Sequence, residues 1–476
     1  MGGGLLQLVA QGAQDAYLSG NPQITFWKGL FKRHTNFAME PFRINFTGQP
    51  NWGTKQSATI NRNADLLYST YVEVQLPSYL SGDPTRKNAV YNNDQFRLGY
   101  NLLKYAELEI GGQLIDRQYG EWLFLWDTLT STTEHSLMLQ QMIGGGGRDL
   151  VASPDGITST VSAGQRVAFS PPPGCTASVR TNQPGHPTVL YVPLKFFYTR
   201  NPGAALPLIA LQYHEVKINI LWNDNELISG DYSVVKTPAQ PTQAAIYVDY
   251  IYLDVEERRR MAQESHEYLI EQVQYNEDKG LSSYQNRIDL TFNHPVKELV
   301  WVVQPTCYRS CKVPLGTKGA RTSSLNSARL TPFTYDQNAV FKQHLQINGQ
   351  DRLDARYGDY FNKVQPYQHH TGFTGSVYLA NTSTTVSPDV QSSNTLVSQT
   401  TQRGIYCYSF ALKPEEHQPS GTCNFSRIDT ATLVVEMSGD VDVSQTTDQT
   451  WDVRVYALNY NILRIMSGMA GLAYSN

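Results

Sequence analysis

Apolar and polar residues alternate at every second position in several short stretches of this chain. Leu108 and Ile110, for example, alternate with Glu107 and Glu109, which is the pattern of a strand with one buried face. Stretches of this kind, together with short apolar runs between turn residues, predict strands at 57–60, 70–76, 102–110, 189–198, 206–221, 245–255, 286–292, 296–303, 405–412 and 451–458. The pattern therefore predicts a protein built mainly of β-strands.

One predicted hairpin occurs twice. Residues 108–122 read LEIGGQLIDRQYGEW, and residues 345–360 read LQINGQDRLDARYGDY. Gly111-Gly112 and Asn348-Gly349 stand between the arms, and these residues tolerate the positive φ that a two-residue hairpin turn requires. Matching residues are 237 or 238 positions apart. This spacing is close to half the chain and indicates two similar domains in tandem.

The stretches that follow the two hairpins also correspond. After the first copy, apolar residues at 122, 125, 126 and 129 recur at helical spacing and predict a short helix packed on a core. A segment rich in Gly, Ser, Thr and Pro comes next at 144–187, and a similar segment follows the second copy at 379–404. Both are predicted to be long surface loops. Each half then ends in a predicted strand, so the shared order supports a duplicated domain.

Length and composition favour a multidomain soluble protein and give no sign of a nucleic-acid-binding surface or a membrane span. A chain of 476 residues exceeds the size of a single core, roughly 250–300 residues, so two or more domains are expected. Charged residues make up only 17%, and the net charge of −4 gives no overall basic surface for nucleic acid. No Lys or Arg precedes Lys28, and no apolar run approaches the roughly 18 residues of a membrane span. We therefore expect a soluble chain that is made in the cytosol.

The motifs of enzymes and metal sites are incomplete. The His-Glu pair at 214–215 lacks the second histidine of a zinc-protease helix. Five cysteines are too scattered for a disulfide scaffold, and the Cys-x-x-x-Cys segment at 307–311 has no second pair at zinc-finger spacing. The histidine pair at 369–370 and the Glu-Glu-His triplet at 415–417 are interpreted as polar loop contacts. We expect no enzymatic activity, no cofactor and no metal.

Two groups of surface residues are candidates for external contacts. Lys28, Lys32 and Arg33 form a small basic cluster, which fits either a solvated edge or a contact with anionic lipid or an acidic partner. Three sequons are candidate glycosylation sites if the chain enters a secretory route. They lie at Asn45, Asn381 and Asn424, and Asn381 belongs to the segment most expected to be exposed.

Seven segments closely resemble a known family. They are GGLLQLVAQGAQDAYLSGNPQITFWK (3–28), ELEIGGQLID (107–116), NPGAALPLIALQYHEVK (201–217), VDYIYLDVEERRRMAQ (248–263), LQINGQDRLDARYGDYFNKVQPYQ (345–368), FALKPEEHQPSGTCNFSRID (410–429) and NYNILRIMSGMAGLAYSN (459–476). The family is that of the major capsid proteins of large icosahedral, nucleocytoplasmic DNA viruses, which include chloroviruses and marseilleviruses. The segments are distributed from end to end, so the resemblance covers the whole chain.

The resemblance implies an all-β fold of two consecutive eight-stranded antiparallel jelly rolls with short helices and long surface loops. It implies an N-terminal arm at 1–24 on the inner side of a capsid and a first jelly roll at 25–257, with its outer loop at 144–187. A helical linker at 258–268 would lead to a second jelly roll at 269–476, with its outer loop at 379–404. The basic cluster would then contact the inner surface.

The implied function is structural. Three chains would form a homotrimer of pseudo-hexagonal outline, and neighbouring trimers would tile the shell of the virion after synthesis and assembly in the host cytoplasm. Minor capsid proteins and an internal viral membrane usually lie beneath such a shell, and no specific contact with nucleic acid is expected. Two alternatives remain open. They are a minor or vertex capsid protein of the same fold and a carbohydrate-binding jelly-roll protein.

Overall fold

The structure is a computed structural model. It describes residues 3–27, 29, 31–76, 98–143, 158–161, 165–168, 188–224, 240–305, 340–372, 375–378, 398–401, 405–437 and 450–474. Several residues singled out above lie outside these ranges, namely Lys28, Cys307, Cys311, Asn381 and most of the two predicted long loops.

The first half of the chain forms two antiparallel sheets. Its strands are β1 (Phe37–Asn45), β2 (Lys55–Ile60), β3 (Leu66–Leu76), β4 (Leu103–Ile110), β5 (Gln113–Tyr119), β6 (Thr158–Val161), β7 (Gln165–Ala168), β8 (Thr188–Pro193), β9 (Leu206–Pro207), β10 (Val216–Trp222) and β11 (Gln243–Leu253). One sheet has the order β1-β11-β3-β8 and the other the order β2-β10-β4-β5. The short strands β6 and β7 pair with each other.

The second half repeats this arrangement. Its strands are β12 (His266–Leu281), β13 (Gln285–Asp289), β14 (Pro295–Pro305), β15 (Val340–Ile347), β16 (Gln350–Asp351), β17 (Arg356–Tyr357), β18 (Gly375–Tyr378), β19 (Ser398–Thr401), β20 (Ile405–Ser409), β21 (Cys423–Asn424), β22 (Ala431–Met437), β23 (Trp451–Met466) and β24 (Met469–Leu472). The sheets have the orders β12-β23-β14-β20 and β13-β22-β15-β16, which match the first half strand for strand. Each half is therefore an eight-stranded jelly roll, and the predicted fold class is confirmed.

The helices are short. They are α1 (Gly3–Val9), α2 (Asp15–Ser19), α3 (Leu98–Leu102), α4 (Gly120–Thr130), α5 (Thr133–Met142), α6 (Phe197–Arg200), α7 (Val255–Gln263) and α8 (Gln365–His369), with a π-helix at Tyr360–Val364 and 3₁₀ turns at Pro202–Ala204, Leu208–Ala210 and Phe425–Arg427. Helix α4 confirms the helix predicted from the aromatic stripe, and it is buried on all sides from Trp122 to Leu129. Among the described helices, none has the length and apolar character needed to cross a bilayer.

Both repeated hairpins turn through two residues of positive φ. Gly111 and Gly112 have φ of 59° and 84°, and Asn348 and Gly349 have φ of 50° and 75°. Asparagine is tolerated in this region because its side chain can bond to nearby backbone. The Oδ1 atom of Asn348 accepts hydrogen bonds from the backbone amides of residues 429 and 430, at 3.0 and 3.1 Å, and so ties the second turn to the start of β22.

Three predicted elements differ from the structure. The strand predicted at 189–198 ends at Pro193, and α6 follows it. The strand predicted at 206–221 is broken into β9, a 3₁₀ turn and β10, because a short apolar run without alternation does not distinguish a strand from another buried conformation. The charged stretch expected to be a helical connector at 258–268 is helical over Val255–Gln263, and β12 begins at His266.

The apolar core of the first barrel extends onto the outer surface of the second barrel, which has a separate core of its own. One cluster fills the first barrel and extends onto the outer face of β14 through Val300 and Val302, whereas a second cluster inside the second barrel contains Leu299, Trp301 and Val303. Alternate residues of one strand thus face opposite sides of the sheet, as a strand's period of two requires. Both faces of sheet β12-β23-β14-β20 are consequently covered.

Candidate functional site

The candidate site is the seam between the barrels, where α4 and β5 of the first barrel cover the outer face of sheet β12-β23-β14-β20. The first copy of the repeated hairpin leads directly into this seam because β5 ends at Tyr119 and α4 begins at Gly120. Gly120 has no room for a side chain, since a Cβ there would overlap the carbonyl oxygens of Tyr100 and Leu103. The glycine therefore allows the start of α4 to pack closely against the backbone of Tyr100 and Leu103.

Asp116 joins the hairpin to the second barrel. Its Oδ1 accepts a hydrogen bond from the backbone amide of Val273 in β12 at 3.0 Å, and its Oδ2 accepts one from Nε2 of Gln118 at 3.0 Å. Burial raises the pKa of the Asp116 carboxyl to about 6, although these hydrogen bonds and the charge of Arg200 lower it. A buried carboxyl is thus part of the contact between the barrels.

Three tyrosines form an aromatic cluster beside Asp116. The ring of Tyr119 lies 4.6 Å from that of Tyr275 and 6.1 Å from that of Tyr456, measured between centroids. Tyr119 belongs to β5, whereas the other two belong to β12 and β23 of the second barrel. Aromatic pairs at such distances stabilise beyond their buried area, so the cluster contributes to the cohesion of the seam.

Glu121, in the first turn of α4, forms a buried ion pair with Arg454. Both guanidinium contacts from Arg454, through Nε and Nη2, are 2.6 Å long, and the hydroxyl of Tyr456 donates to the same carboxylate at 2.7 Å. Burial alone would lower the pKa of Arg454, but the Glu121 charge outweighs it and raises the pKa. Burial and the Glu121 charge also raise the pKa of Tyr456. Arg454 therefore stays charged and Tyr456 stays neutral near neutral pH.

A second buried ionic group is centred on Glu271 of β12. Glu271 accepts from Nζ of Lys297 and from Nη1 of Arg200, each at 2.5 Å. Lys297 has a completely buried side chain whose ammonium group lies 5.3 Å from the ring centroid of Tyr460. Despite burial, the two cations lower the pKa of Glu271. Since Arg200 ends α6 of the first barrel, this group also links the two halves.

The third polar group surrounds His370, which follows α8. Its Nε2 lies 2.5 Å from Oε1 of Glu298, and its Nδ1 lies 3.0 Å from Oε1 of Glu415. The ligand-type atoms of Glu298, His370 and Cys407 all lie within 4.8 Å of one another, and all three residues are buried. Burial lowers the pKa of His370, but Glu298, Cys407 and Glu415 raise it well above its usual value. The imidazole ring meets Trp126 of α4 edge-on.

The other predicted site residues lie at the surface. Lys32 and Arg33 are exposed, and so is Asn45 at the end of β1. Asn424 is exposed, but its Oδ1 accepts from the backbone amide of Ser426 and caps a 3₁₀ turn. Of the described basic and sequon residues, none lies in the seam. Two described cysteines are free thiols: Cys423 is partly exposed, and Cys407 is buried and lies in the seam.

Sequence reasoning missed the seam. His370 and Glu415 were interpreted as separate loop contacts, and Glu298 received no role. Glu298 is separated from His370 by 72 positions, and His370 from Glu415 by 45. One signal was available, namely that a glutamate interrupts the apolar run of β14 on the face opposite Leu299 and Trp301. A charged residue on a strand covered on both faces indicates a buried polar partner.

Comparison with known proteins decides the family. A family model described as the N-terminus of the major capsid protein matches residues 25–254, and one described as the large eukaryotic DNA virus major capsid protein matches residues 257–378 and 388–471. The chain belongs to this capsid protein family. The major capsid protein of Pyramimonas orientalis virus is 44% identical over 476 residues, with 100% of both chains covered.

Further relatives agree with this assignment. The major capsid protein of Paramecium bursaria Chlorella virus 1 is 37% identical over 518 aligned positions, with 100% of both chains covered. A chain of the quasi-atomic model of the PBCV-1 virus capsid is 33% identical with a TM-score of 0.68, covering 95% of this chain and 100% of that chain. This capsid protein therefore has a structural role in a virion, and the seam is the feature that holds its two barrels in one orientation.

Proposed function

We propose that three copies of this chain form a pseudo-hexagonal capsomer and that these trimers tile an icosahedral shell as its major capsid protein, without enzymatic activity. The observation that carries the proposal is the unequal burial of the two copies of the repeated hairpin. Asp116, Tyr119 and Glu121 contact the second barrel, as described above. Their repeat partners, Asp354, Tyr357 and Asp359, are exposed.

The exposed second copy has the chemistry of an interface. Tyr357 is 61% exposed, and its ring lies 5.4 Å from that of Phe341, which is also exposed. Val364 and Tyr367, which follow it in the chain, are exposed as well. Since equivalent hairpins on equivalent barrels favour equivalent contacts, this surface, which we call the hairpin face, is expected to cover a first barrel of another chain.

The surface that would receive it is the outer face of sheet β1-β11-β3-β8. This face corresponds to the covered outer face of β12-β23-β14-β20. It carries three partly exposed tyrosines, in which Tyr71 stacks on Tyr247 at 5.3 Å and meets Tyr191 at 6.0 Å. Phe37 and Met39 of β1 extend the apolar surface and are about half exposed. We call it the tyrosine face.

We expect these two faces to close a ring of three chains. In each chain the first barrel covers the second, and the hairpin face on the second barrel would cover the tyrosine face of the next chain. Such a head-to-tail contact forms a closed ring when the rotation closes, and three chains supply six barrels. Obligate interfaces of this kind bury more than about 2,000 Å², which the exposed aromatic area on both faces favours.

The test is the oligomeric state of the purified chain in sedimentation velocity. We expect a trimer at micromolar concentration, and Tyr357→Asp should shift it towards monomer because a charge would be placed in an apolar contact. Tyr284→Asp is the matched control, since Tyr284 is 56% exposed in the turn between β12 and β13. A stable wild-type monomer, or equal effects of both substitutions, would contradict the proposed interface.

The remaining assignments follow from the same proposal. The arm at 1–24 would lie on the inner side, where its exposed apolar residues and the basic cluster of Lys28, Lys32 and Arg33 would meet minor capsid proteins or the internal membrane, with no specific nucleic-acid contact. Assembly would occur in the host cytoplasm. Quantitative mass spectrometry of purified particles separates a major from a minor or vertex protein, because only a major protein dominates the particle mass.

Glycosylation at the three sequons is a further part of the proposal. Asn45 lies on the outward row of β1 with Met39, so a glycan there would block the tyrosine face. Asn424 already uses its side chain to cap a turn. We therefore expect any glycan at Asn381 rather than at the other two, and peptide mass spectrometry of virion protein checks this.

A further inference from the structure

We propose that Glu298, His370 and Cys407 form a binding site for one zinc ion in the seam between the barrels. Thiolate, imidazole and carboxylate are the ligand types that Zn²⁺ takes in proteins, whereas Mg²⁺ and Ca²⁺ take oxygen ligands. The three donor atoms converge within 4.8 Å, and the three side chains come from β14, the residue after α8, and β20.

An unsatisfied buried atom supports the site independently. Oε2 of Glu298 is buried and has no hydrogen-bond partner among the described residues, although the other oxygen of the same carboxylate contacts His370. A buried carboxylate oxygen without a partner is costly. A cation bound at this position would satisfy that oxygen.

The surroundings of His370 have the arrangement of a supported metal ligand. A histidine that binds a metal through one ring nitrogen commonly donates its other N–H to a carboxylate, which fixes the orientation of the ring. Here Nε2 faces Glu298, and Nδ1 faces Glu415 at 3.0 Å. Glu415 is itself held by the backbone amide and hydroxyl of Thr371, at 2.9 and 2.7 Å. Glu415 is therefore a positioning residue.

Zinc binding requires the donor atoms of His370 and Glu298 to move slightly apart, and it requires His370 and Cys407 each to lose a proton. Tetrahedral ligands at about 2.0–2.1 Å from zinc are separated by roughly 3.3 Å, whereas Nε2 of His370 and Oε1 of Glu298 are 2.5 Å apart. The ion would thus replace their direct contact. The imidazolium Nε2–H and the Cys407 S–H each release a proton to solvent, and water or the carbonyl oxygen of Phe361, which lies 3.8 Å from the thiol, completes the coordination.

The first experiment uses the unmodified full-length chain expressed with added zinc. We expect roughly one zinc per chain after gel filtration, and X-ray absorption should give one sulfur at about 2.3 Å with nitrogen or oxygen neighbours at about 2.0–2.1 Å. A folded trimer or monomer with less than about a tenth of this zinc content overturns the proposal. Two sulfur neighbours would also overturn it, because they would assign the ion to Cys307 and Cys311.

Substitutions then locate the ion. Cys407→Ser should remove most of the zinc, whereas Cys423→Ser and the double change Cys307→Ser with Cys311→Ser should retain it. Glu415→Ala should weaken the zinc affinity by about 10–100-fold, as is typical for the loss of a supporting carboxylate. If Cys407→Ser does not fold, the absorption spectrum of the unmodified chain still decides between the two cysteine groups.

Discussion

Replacing Glu121 with glutamine tests whether the seam depends on its buried charges. The substitution preserves the shape of the side chain but removes the negative charge that faces Arg454. Only 5% of the Arg454 side chain and 13% of the Glu121 side chain are exposed. The guanidinium would therefore lose its two-pronged contact with the Glu121 carboxylate, and the hydroxyl of Tyr456 would lose the same negative acceptor.

The loss of this buried charge should lower the free energy of unfolding by several kcal/mol. Breaking a buried ion pair by removing one partner costs about 3–5 kcal/mol, most of it from the uncompensated charge. Unfolding entropy of about 2.1 cal/mol/K per residue gives ~1 kcal/mol/K for a chain of this length, so the melting midpoint should fall by roughly 3–5 °C. Replacing both charges, as in Glu121→Leu with Arg454→Met, should recover much of the loss because no charge is left buried.

Scanning calorimetry at fixed protein concentration measures these midpoints. The control is Glu264→Gln, which removes an exposed ion pair with Arg260 on α7 and should change the midpoint by less than about 0.5 °C. If Glu121→Gln melted within about 1 °C of the unmodified chain, the guanidinium would have to be solvated, and the description of a closed polar seam would be wrong.

Three further predictions concern the repeated hairpins. Gly111→Ala should destabilise the chain far more than Gly112→Ala in calorimetry, because a Cβ at Gly111 would overlap the ring of His214 whereas a Cβ at Gly112 meets open space. Gly349→Val should lower stability by about 1–2 kcal/mol through backbone strain alone, since φ is 75° and the site is open; unchanged melting would argue against the turn. The raised pKa of Asp116, about 6 against 3.8, means that the folded state binds the proton more tightly than the unfolded state. Stability should therefore fall by ~3 kcal/mol as pH rises from about 4 to 6, and Asp116→Asn should lack this component in melts across that range.

Local patterns in the sequence were sufficient to predict the two repeated hairpins and helix α4. The alternation around Leu108 and the turn residues at 111–112 and 348–349 depend on neighbours in the chain, and the structure has hairpins at both places. The aromatic spacing that begins at Trp122 predicted α4 for the same reason. The resemblance to capsid proteins then supplied the jelly-roll fold, which depends on pairings between distant segments that no local pattern specifies.

The seam could not be derived in this way. Glu121 and Arg454 are separated by 333 positions, and nothing in the local sequence of either residue indicates the other. The repeat was also misleading in one respect, since it suggested that both copies have the same surroundings. Asp116 is buried and Asp354 exposed, because only the first copy has another barrel of the same chain beside it.

The polar character of the seam has a consequence for assembly. An apolar contact between two barrels is non-directional, so the barrels could pack at several angles with similar free energy. Buried ion pairs between the barrels, such as Glu121–Arg454 and Arg200–Glu271, are satisfied at one angle only, and the best-attested role of such pairs is to select one arrangement rather than to add stability. A capsomer needs that angle, because the hairpin face and the tyrosine face must close a ring after three chains. We therefore expect the Glu121→Leu, Arg454→Met chain to melt near the unmodified midpoint yet to give less closed trimer in sedimentation. Full trimer yield from this variant would mean that the apolar core alone fixes the angle.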